Sequence, residues 1–306
     1  MAKKQVLYEN NRLKGKLLDS KTCGILENLI KVSESKGYID DLKKIIYDIP
    51  PSSIEMIKES KSNALVELEK GNLSNHQTIG VAYMYFAKRL VLGDSVGMGK
   101  TVETAGLCNL LESEYEKRGE EFRFLFLTEK TSVAEIRDKF IQFTGNYVDA
   151  VYGEKRFIQK FVKENSENIN YSVVGSHSLI TSVDFQQYLI DYNSDFGCCP
   201  FDLLVIDESG DILKNSKTQI YKSAEILRDR FERIILLNAT PFESNLLQFY
   251  NQIHFIDKSF LPTKTDFSNE YEVKAFNPMR GYSEATGKYK NAEKFRSLVA
   301  YRYFAR

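Results

Sequence analysis

The run Val91-Leu92-Gly93-Asp94-Ser95-Val96-Gly97-Met98-Gly99-Lys100-Thr101 decides how the rest of the chain is read. Leu90-Val91-Leu92 has the composition of a buried strand and Val102 to Leu111 that of a helix, so the turn between them joins strand to helix. Gly97 and Gly99 carry no Cβ. The backbone can therefore bend tightly and aim successive N–H groups at one anion, with the helix start adding positive potential. Followed by a lysine and a hydroxyl, such a turn is a cradle for the phosphates of ATP. Lys100 reaches the β/γ-phosphates, Thr101 ligates Mg2+, and Asp94, Gly97, Met98, Gly99 and Val102 complete the nucleotide-binding stretch. Asp94 stands where the general G-x-x-x-x-G-K-[ST] pattern has its first glycine.

Composition narrows the class. The chain has 306 residues, 42% of them hydrophobic, enough for one large core or two smaller ones. Its 42 basic and 42 acidic side chains cancel, so a polyanionic partner has to be held by a local surface rather than a global field. Cys23, Cys108, Cys198 and Cys199 show no Cys-x-x-Cys spacing, which argues against a zinc site or a disulfide framework and for reduced thiols. After Met1-Ala-Lys-Lys-Gln the residues are too polar for a secretory leader, and no apolar run reaches membrane-spanning length. An intracellular protein is expected, cytoplasmic, or nuclear in a eukaryote.

Residues 1–70 read as a helical N-terminal extension, with apolar residues such as Ile25, Leu29, Ile45 and Leu68 at helical spacing and a break at Pro50-Pro51. Residues 71–306 read as the main domain. Its buried runs at Leu90, Phe124, Val173, Leu203 and Ile235 alternate with helical stretches, giving an α/β fold with a mostly parallel sheet flanked by helices. Weak periodicity from about 258 to 292 marks a helical or irregular excursion.

Two further blocks carry chemistry. In Phe201-Asp202-Leu203-Leu204-Val205-Ile206-Asp207-Glu208 an apolar strand releases two carboxylates at its end. With the phosphate loop upstream, Asp207 is assigned to Mg2+, largely through water, and Glu208 to orienting and deprotonating the attacking water. Arg233-Ile234-Ile235-Leu236-Leu237 ends in Asn238-Ala239-Thr240-Pro241, where Asn238 and Thr240 can sense the γ-phosphate and couple that state to a neighbouring surface. Gln77, at the start of the main domain, can read the adenine edge with an amide that both donates and accepts. His177 reads as a satisfied loop residue, since no nucleophile is paired with it in a motif.

Gln77, the Asp94 to Thr101 loop, Asp207-Glu208 and Asn238-Ala239-Thr240-Pro241 follow the motif order of superfamily-two helicases, and within that superfamily the chain resembles the Swi/Snf-type ATPases. That family has aspartate in place of the first glycine, as at Asp94. Leu213-Lys214-Asn215 and the stretch Thr240-Pro241-Phe242-Glu243-Ser244-Asn245-Leu246-Leu247-Gln248-Phe249-Tyr250 extend the likeness, with Phe255-Ile256, Phe260-Leu261-Pro262 and Phe267 beyond. It runs from about Leu73 onward and is thinnest between Tyr147 and Ile169.

The resemblance implies a RecA-like P-loop lobe, the first of two, in an enzyme that binds Mg-ATP and the backbone of duplex DNA and couples hydrolysis to translocation. The second lobe, in the full-length protein or a partner chain, would supply the arginines that complete the ATP site, so the lobe alone is expected to turn ATP over weakly. The positions implied to touch DNA are Thr128, Lys130, Ser176, His177, Lys214 and Asn215. The chain also departs from the family. Ser209-Gly210-Asp211-Ile212 replaces alanine and histidine after the acidic pair, removing a usual link to Asn238. Thr128-Glu129 stands for cysteine-proline, and Ser176-His177 for threonine-tyrosine. Two other readings stay open: a nucleotide-dependent DNA- or protein-binding module without productive hydrolysis, and a different P-loop enzyme such as a small-molecule kinase. The long interval from Lys100 to Asp207 and the Thr240-Pro241 block disfavour the kinase.

Overall fold

A computed structural model describes residues 73–305 apart from 168, 240–245, 259–262, 292–293, 296–298 and 300–301. The helical extension expected over 1–70, and Thr240 with Pro241, lie outside the described residues. The chain divides into two compact units. One holds the described residues through Lys88 with Gly99–Phe122 and Lys139–Asn146; the other holds Arg89–Met98, Arg123–Asp138 and the chain from Tyr147 onward.

The first unit is built on α1 (Asn75–Ala87) and α2 (Lys100–Glu116). Gly106 lets them approach closely, because a Cβ there would lie 2.8 Å from Leu73 and 3.1 Å from Val81. Val81, Met84, Leu107 and Leu111 are buried, and the Tyr85 hydroxyl donates to Glu114 Oε1 at 3.0 Å from one helix to the other. A buried tyrosine hydroxyl needs such an acceptor.

The second unit is organised by a sheet of seven strands among the described residues: β1 (Arg89–Leu92), β2 (Phe124–Thr128), β3 (Val148–Val151), β4 (Ser172–Ser176), β5 (Leu203–Ile206), β6 (Arg233–Leu237) and β9 (Tyr303–Phe304). Their order is β3-β4-β2-β5-β6-β1-β9, and every neighbouring pair is parallel. Strands covered on both faces must be apolar throughout, which is why Leu203 to Ile206 and Ile234 to Leu237 are all buried. Register sets the ends level: Leu92 lies opposite Leu237, Ile206 opposite Leu236, Leu127 opposite Ile206, and Thr128 opposite Ser176. Because all run the same way, the loops after Leu92, Thr128, Ser176, Ile206 and Leu237 emerge along one edge. In open parallel sheets that edge is where ligands bind.

Helices α4 (Lys155–Glu164) and α6 (Val183–Phe196) pack Phe161, Phe185 and Tyr188 against one another with ring centroids 6.1–6.3 Å apart. Helix α6 starts where Ser182 Oγ accepts the Phe185 N–H at 3.3 Å and stops at Gly197, with φ 71°. Between β5 and β6 lie α7 (Ser209–Leu213) and α8 (Gln219–Arg228), and α9 (Leu246–Ile256) follows β6. Where the sequence suggested a helical or irregular excursion, α10 (Lys264–Tyr271) is followed by an antiparallel pair, β7 (Glu272–Asn277) and β8 (Tyr282–Tyr289). The described side chains of this hairpin are mostly exposed, so no buried face stamps an alternating pattern on the sequence. Among the described residues no helix is long and apolar enough to cross a membrane.

Candidate nucleotide site

In the sheet unit, β1 delivers Gly93 and Asp94 to the ligand edge. A Cβ on Gly93 would lie 2.5–2.9 Å from the Tyr303 ring, so only glycine lets that phenol lie across the turn. Asp94 is fully buried. Burial, with the Asp94 carboxylate adding to it, pushes the Tyr303 phenol up to about 12, which keeps it protonated at neutral pH. Ser95, Val96 and Gly97 are exposed, and the Met98 N–H donates to Ser95 O at 3.3 Å. Gly97 has φ 84° with open space where a Cβ would stand, so the requirement there is conformational rather than steric.

In the helical unit, Gly99 caps α2 in the left-handed conformation, φ 88° and ψ 33°. A Cβ there would collide with Nε2 of Gln77. The other end of that amide is held in place, since Gln77 Oε1 accepts the Ser74 N–H at 3.0 Å. Gln77 is thus fixed against the glycine from which α2 starts. Lys100, Thr101 and Val102 form the first turn of α2, partly exposed, where amides have no partner within the helix and favour an anion.

Asp207 and Glu208 leave β5 in the sheet unit. The Asp207 N–H still donates to Leu127 O at 2.8 Å, fixing the residue to the strand end. Its carboxylate accepts twice, Oδ2 from Thr128 Oγ1 at 3.1 Å and Oδ1 from the Glu208 N–H at 3.1 Å. Glu208 has φ 47° and ψ 42°, a left-handed conformation that a residue with a Cβ adopts at a cost of about 1–2 kcal/mol, and its side chain is exposed. The turn holds the aspartate and presents the glutamate.

The residues implied to touch nucleic acid fall into two groups. Thr128 and Ser176 are buried, the first bonded to Asp207 and the second with its Oγ 2.6 Å from Ser178 Oγ. His177 donates its N–H to Thr128 O and brings Nε2 to 2.9 Å from the main-chain oxygen of Asp207, which requires a proton on Nε2. Burial lowers the His177 pKa, with the Asp207 main-chain contact opposing it, so the ring favours its neutral form. Thr128 and His177 therefore brace Asp207. Asn215 Oδ1 accepts the Lys217 N–H at 3.0 Å, a local turn. Lys130 and Lys214 are exposed, the latter 3.5 Å from Asp211.

One group the motifs do not announce lies between the ends of β5 and β6. Ser209, one residue past the acidic pair, is 3.1 Å from Leu237 O and 3.0 Å from Gln252 Oε1 on α9, and Asn238 Nδ2 donates to the same Oε1 at 3.0 Å. Ser209, Asn238 and Gln252 are all buried. Gly210 completes the arrangement, because a Cβ there would stand 2.6 Å from Asn238 Nδ2. Ser209 and Gly210 are visible in the sequence as a departure; Gln252 carries no signal, being one of four polar residues, with Gln248, Asn251 and His254, in its helix.

Among the described residues no cluster of three or more His, Cys, Asp or Glu could hold a metal ion. Mg2+ does not need one. It keeps several waters and takes one or two protein oxygens beside substrate phosphates, and the braced Asp207 carboxylate is an oxygen donor of that kind.

Comparison with known proteins matches residues 76–301 to the model of the SNF2-related domain. The chain belongs to the SNF2-related domain family. Among its relatives are the human "TATA-binding protein-associated factor 172", 25% identical over 65% of this chain and 11% of that protein, and the "Uncharacterized ATP-dependent helicase YqhH" of Bacillus subtilis, 26% identical over 61% and 29%. The mouse "DNA repair and recombination protein RAD54-like" is 22% identical over 83% of this chain and 36% of that protein. The SNF2-related chain thus spans only about a tenth to a third of these relatives. A solved structure described as "Sulfolobus solfataricus SWI2/SNF2 ATPase core in complex with dsDNA" aligns with TM-score 0.55 and 20% identity over 78% of this chain and 45% of that one. The RecA-like α/β fold and the Swi/Snf-type family expected from the motifs are both borne out.

Proposed function

We propose that this SNF2-related domain is the first RecA-like lobe of an intracellular DNA-dependent ATPase, binding Mg-ATP and duplex DNA and requiring a second lobe for efficient hydrolysis. The observation that carries this is the braced acidic turn: Asp207 held by Thr128 and by the Glu208 amide, with Glu208 displayed to solvent on a left-handed backbone. A strained, exposed glutamate beside an anchored aspartate suits a group that must meet a water molecule rather than one that packs.

The residues then have distinct tasks. Lys100 and the first amides of α2 bind phosphate, and Gln77 orients the base. Asp207 and Thr101 would hold magnesium, which when bound neutralises phosphate charge. Glu208 orients the attacking water and takes its proton. Lys130 and Lys214 neutralise DNA phosphates, giving affinity without base readout. Asn238 and Thr240 respond to the nucleotide state.

The test is calorimetric titration of the chain with Mg-ATP and Mg-ADP, with Lys100→Ala as control, followed by turnover with and without duplex DNA. Loss of a charge-assisted phosphate contact of about 1.5–3 kcal/mol predicts roughly 10- to 100-fold weaker binding in Lys100→Ala. No uptake of either nucleotide by the unaltered chain would end this reading. Uptake combined with brisk DNA-stimulated turnover by the chain alone would remove the need for a second lobe.

A further inference from the structure

We propose that Gln252 is a positioning residue that ties the acidic-pair turn to the loop after β6, so that the two respond to nucleotide as one body. The inference rests on the ATP-binding role proposed above, and it starts from a polar group placed where an apolar one would serve packing better. Helix α9 is mainly a core helix, with Phe249, Ile253, Phe255 and Ile256 fully buried; the neighbouring buried amide, Asn251, donates to Lys214 O at 2.7 Å and does not reach the loop after β6. Burying an amide there is costly unless its hydrogen bonds are made. Gln252 makes them to two separate loops, through Ser209 beyond β5 and Asn238 beyond β6.

The proton count shows why an amide suits the place. The Ser209 hydroxyl has one proton and two acceptors in range, Leu237 O and Gln252 Oε1, while Gln252 Nε2 is buried with no partner among the described residues. Turning the Gln252 and Asn238 amides about their last bonds gives each of these protons an acceptor and leaves the Gln252 carbonyl oxygen, in place of Nε2, on the side without a partner among the described residues. Nε2 then donates to Ser209 Oγ and to the Asn238 carbonyl oxygen, and the hydroxyl proton goes to Leu237 O. In either orientation one amide bridges both loops.

Gly210 explains why the bridge comes from α9. Its own Cβ would already strike Asn238, so position 210 carries no side chain that could join the loops directly. A side chain from a later helix spans the gap. Ser209 lies two residues from Asp207, and Asn238 begins the stretch that ends in Thr240. A shift of either loop must therefore break or drag the Gln252 bonds.

The experiment measures duplex-DNA affinity of the 306-residue chain, with and without a saturating non-hydrolysable Mg-ATP analogue, beside the analogue's own affinity. The unaltered chain is expected to change its DNA affinity by about fivefold or more on binding the analogue, the low end of ordinary coupling between sites. Gln252→Leu, similar in size and apolar, should keep analogue affinity and nucleotide-free DNA affinity within about twofold while the change between states collapses. Gln252→Glu, whose burial keeps its carboxyl protonated and so able to donate and accept, should restore most of it. A collapse in Gln252→Leu with rescue by Gln252→Glu supports the proposal. A full response in Gln252→Leu, or an unaltered chain that binds the analogue without any change in DNA affinity, overturns it. Failure to bind the analogue at all is a separate result, which sinks the ATP assignment and the relay with it. A denaturation cycle supplies an arm independent of ligands: Ser209→Ala and Asn238→Ala should be non-additive with Gln252 present and additive in Gln252→Leu. Additivity in both backgrounds counts against the bridge.

Discussion

The glycine turn from Gly93 to Gly99 and the buried group of Ser209, Asn238 and Gln252 make an instructive pair. In the first, the geometry comes from what side chains do not occupy. Gly93 admits the Tyr303 ring, Gly97 supplies a left-handed bend, and Gly99 admits the Gln77 amide. In the second, the geometry comes from three polar side chains enclosed in the core, gathered from two strand ends and a helix. A backbone device is local and is written in consecutive residues. A side-chain device is assembled from distant parts of the chain and shows only when the chain has folded.

The largest test of the contrast is at the acidic turn, where a side chain alone is expected to matter. Glu208→Gln keeps the shape and the left-handed backbone, so Mg-ATP affinity should stay within a few-fold while single-turnover hydrolysis falls by about 10²–10⁴-fold, the usual worth of a general base. Loss of affinity instead would make Glu208 a binding residue. Next come the glycines. Gly97→Asn and Gly99→Asn both ask for a left-handed asparagine, but only position 99 also meets Gln77. Gly99→Asn should weaken nucleotide binding by roughly 5- to 30-fold, the equivalent of about 1–2 kcal/mol for displacing the Gln77 amide, and Gly97→Asn by much less. Equal losses would show that conformation alone governs the turn.

A smaller effect is expected in the polar group. Gly210→Ala gains up to about 1 kcal/mol of helix propensity but drives a methyl into Asn238, an overpacking cost of about 1–3 kcal/mol. Chemical denaturation should show a modest net loss that disappears, or reverses, when Asn238→Ala makes room. The smallest effect concerns pH. Burial depresses the His177 pKa in the folded state, so below the ordinary histidine value the unfolded chain binds a proton that the folded chain does not. Stability should fall as pH drops from about 7 toward 5 and level off below the depressed folded value. His177→Gln should flatten that part of the melting-temperature profile, though His254, also lowered by burial, leaves a residue of it.

Much of the architecture was legible because parallel strands buried on both faces must be apolar runs: Leu90 to Leu92, Leu203 to Ile206 and Ile234 to Leu237 announce themselves. The turns from Gly93 to Gly99 and at Asp207-Glu208 were legible as strand-end turns for the local reason given above. Other parts were not. Helix α4 is short, and its apolar residues Phe157, Ile158, Phe161 and Val162, though at helical spacing, span little more than one turn. The exposed hairpin β7–β8 has no buried face to imprint one. The bracing of Asp207 by Thr128 and His177 could not be read either, since pairing of β2 with both β4 and β5 is what brings those three residues together.

Strand β9 bears on how the loop answers to force. Among the described residues it pairs with β1 at two positions, Val91 with Tyr303 and Leu92 with Phe304, supported by the Val91 N–H to Arg302 O bond at 2.7 Å. Pulled along its own axis, so short a parallel strand shears with few hydrogen bonds sharing the load. Its release would strip the phenol from Gly93 while β1 stayed anchored to β6. The segment at 302–304 is thus a mechanical fuse set beside the turn, the first part of the sheet to yield under tension and the one whose yielding the turn would feel at once.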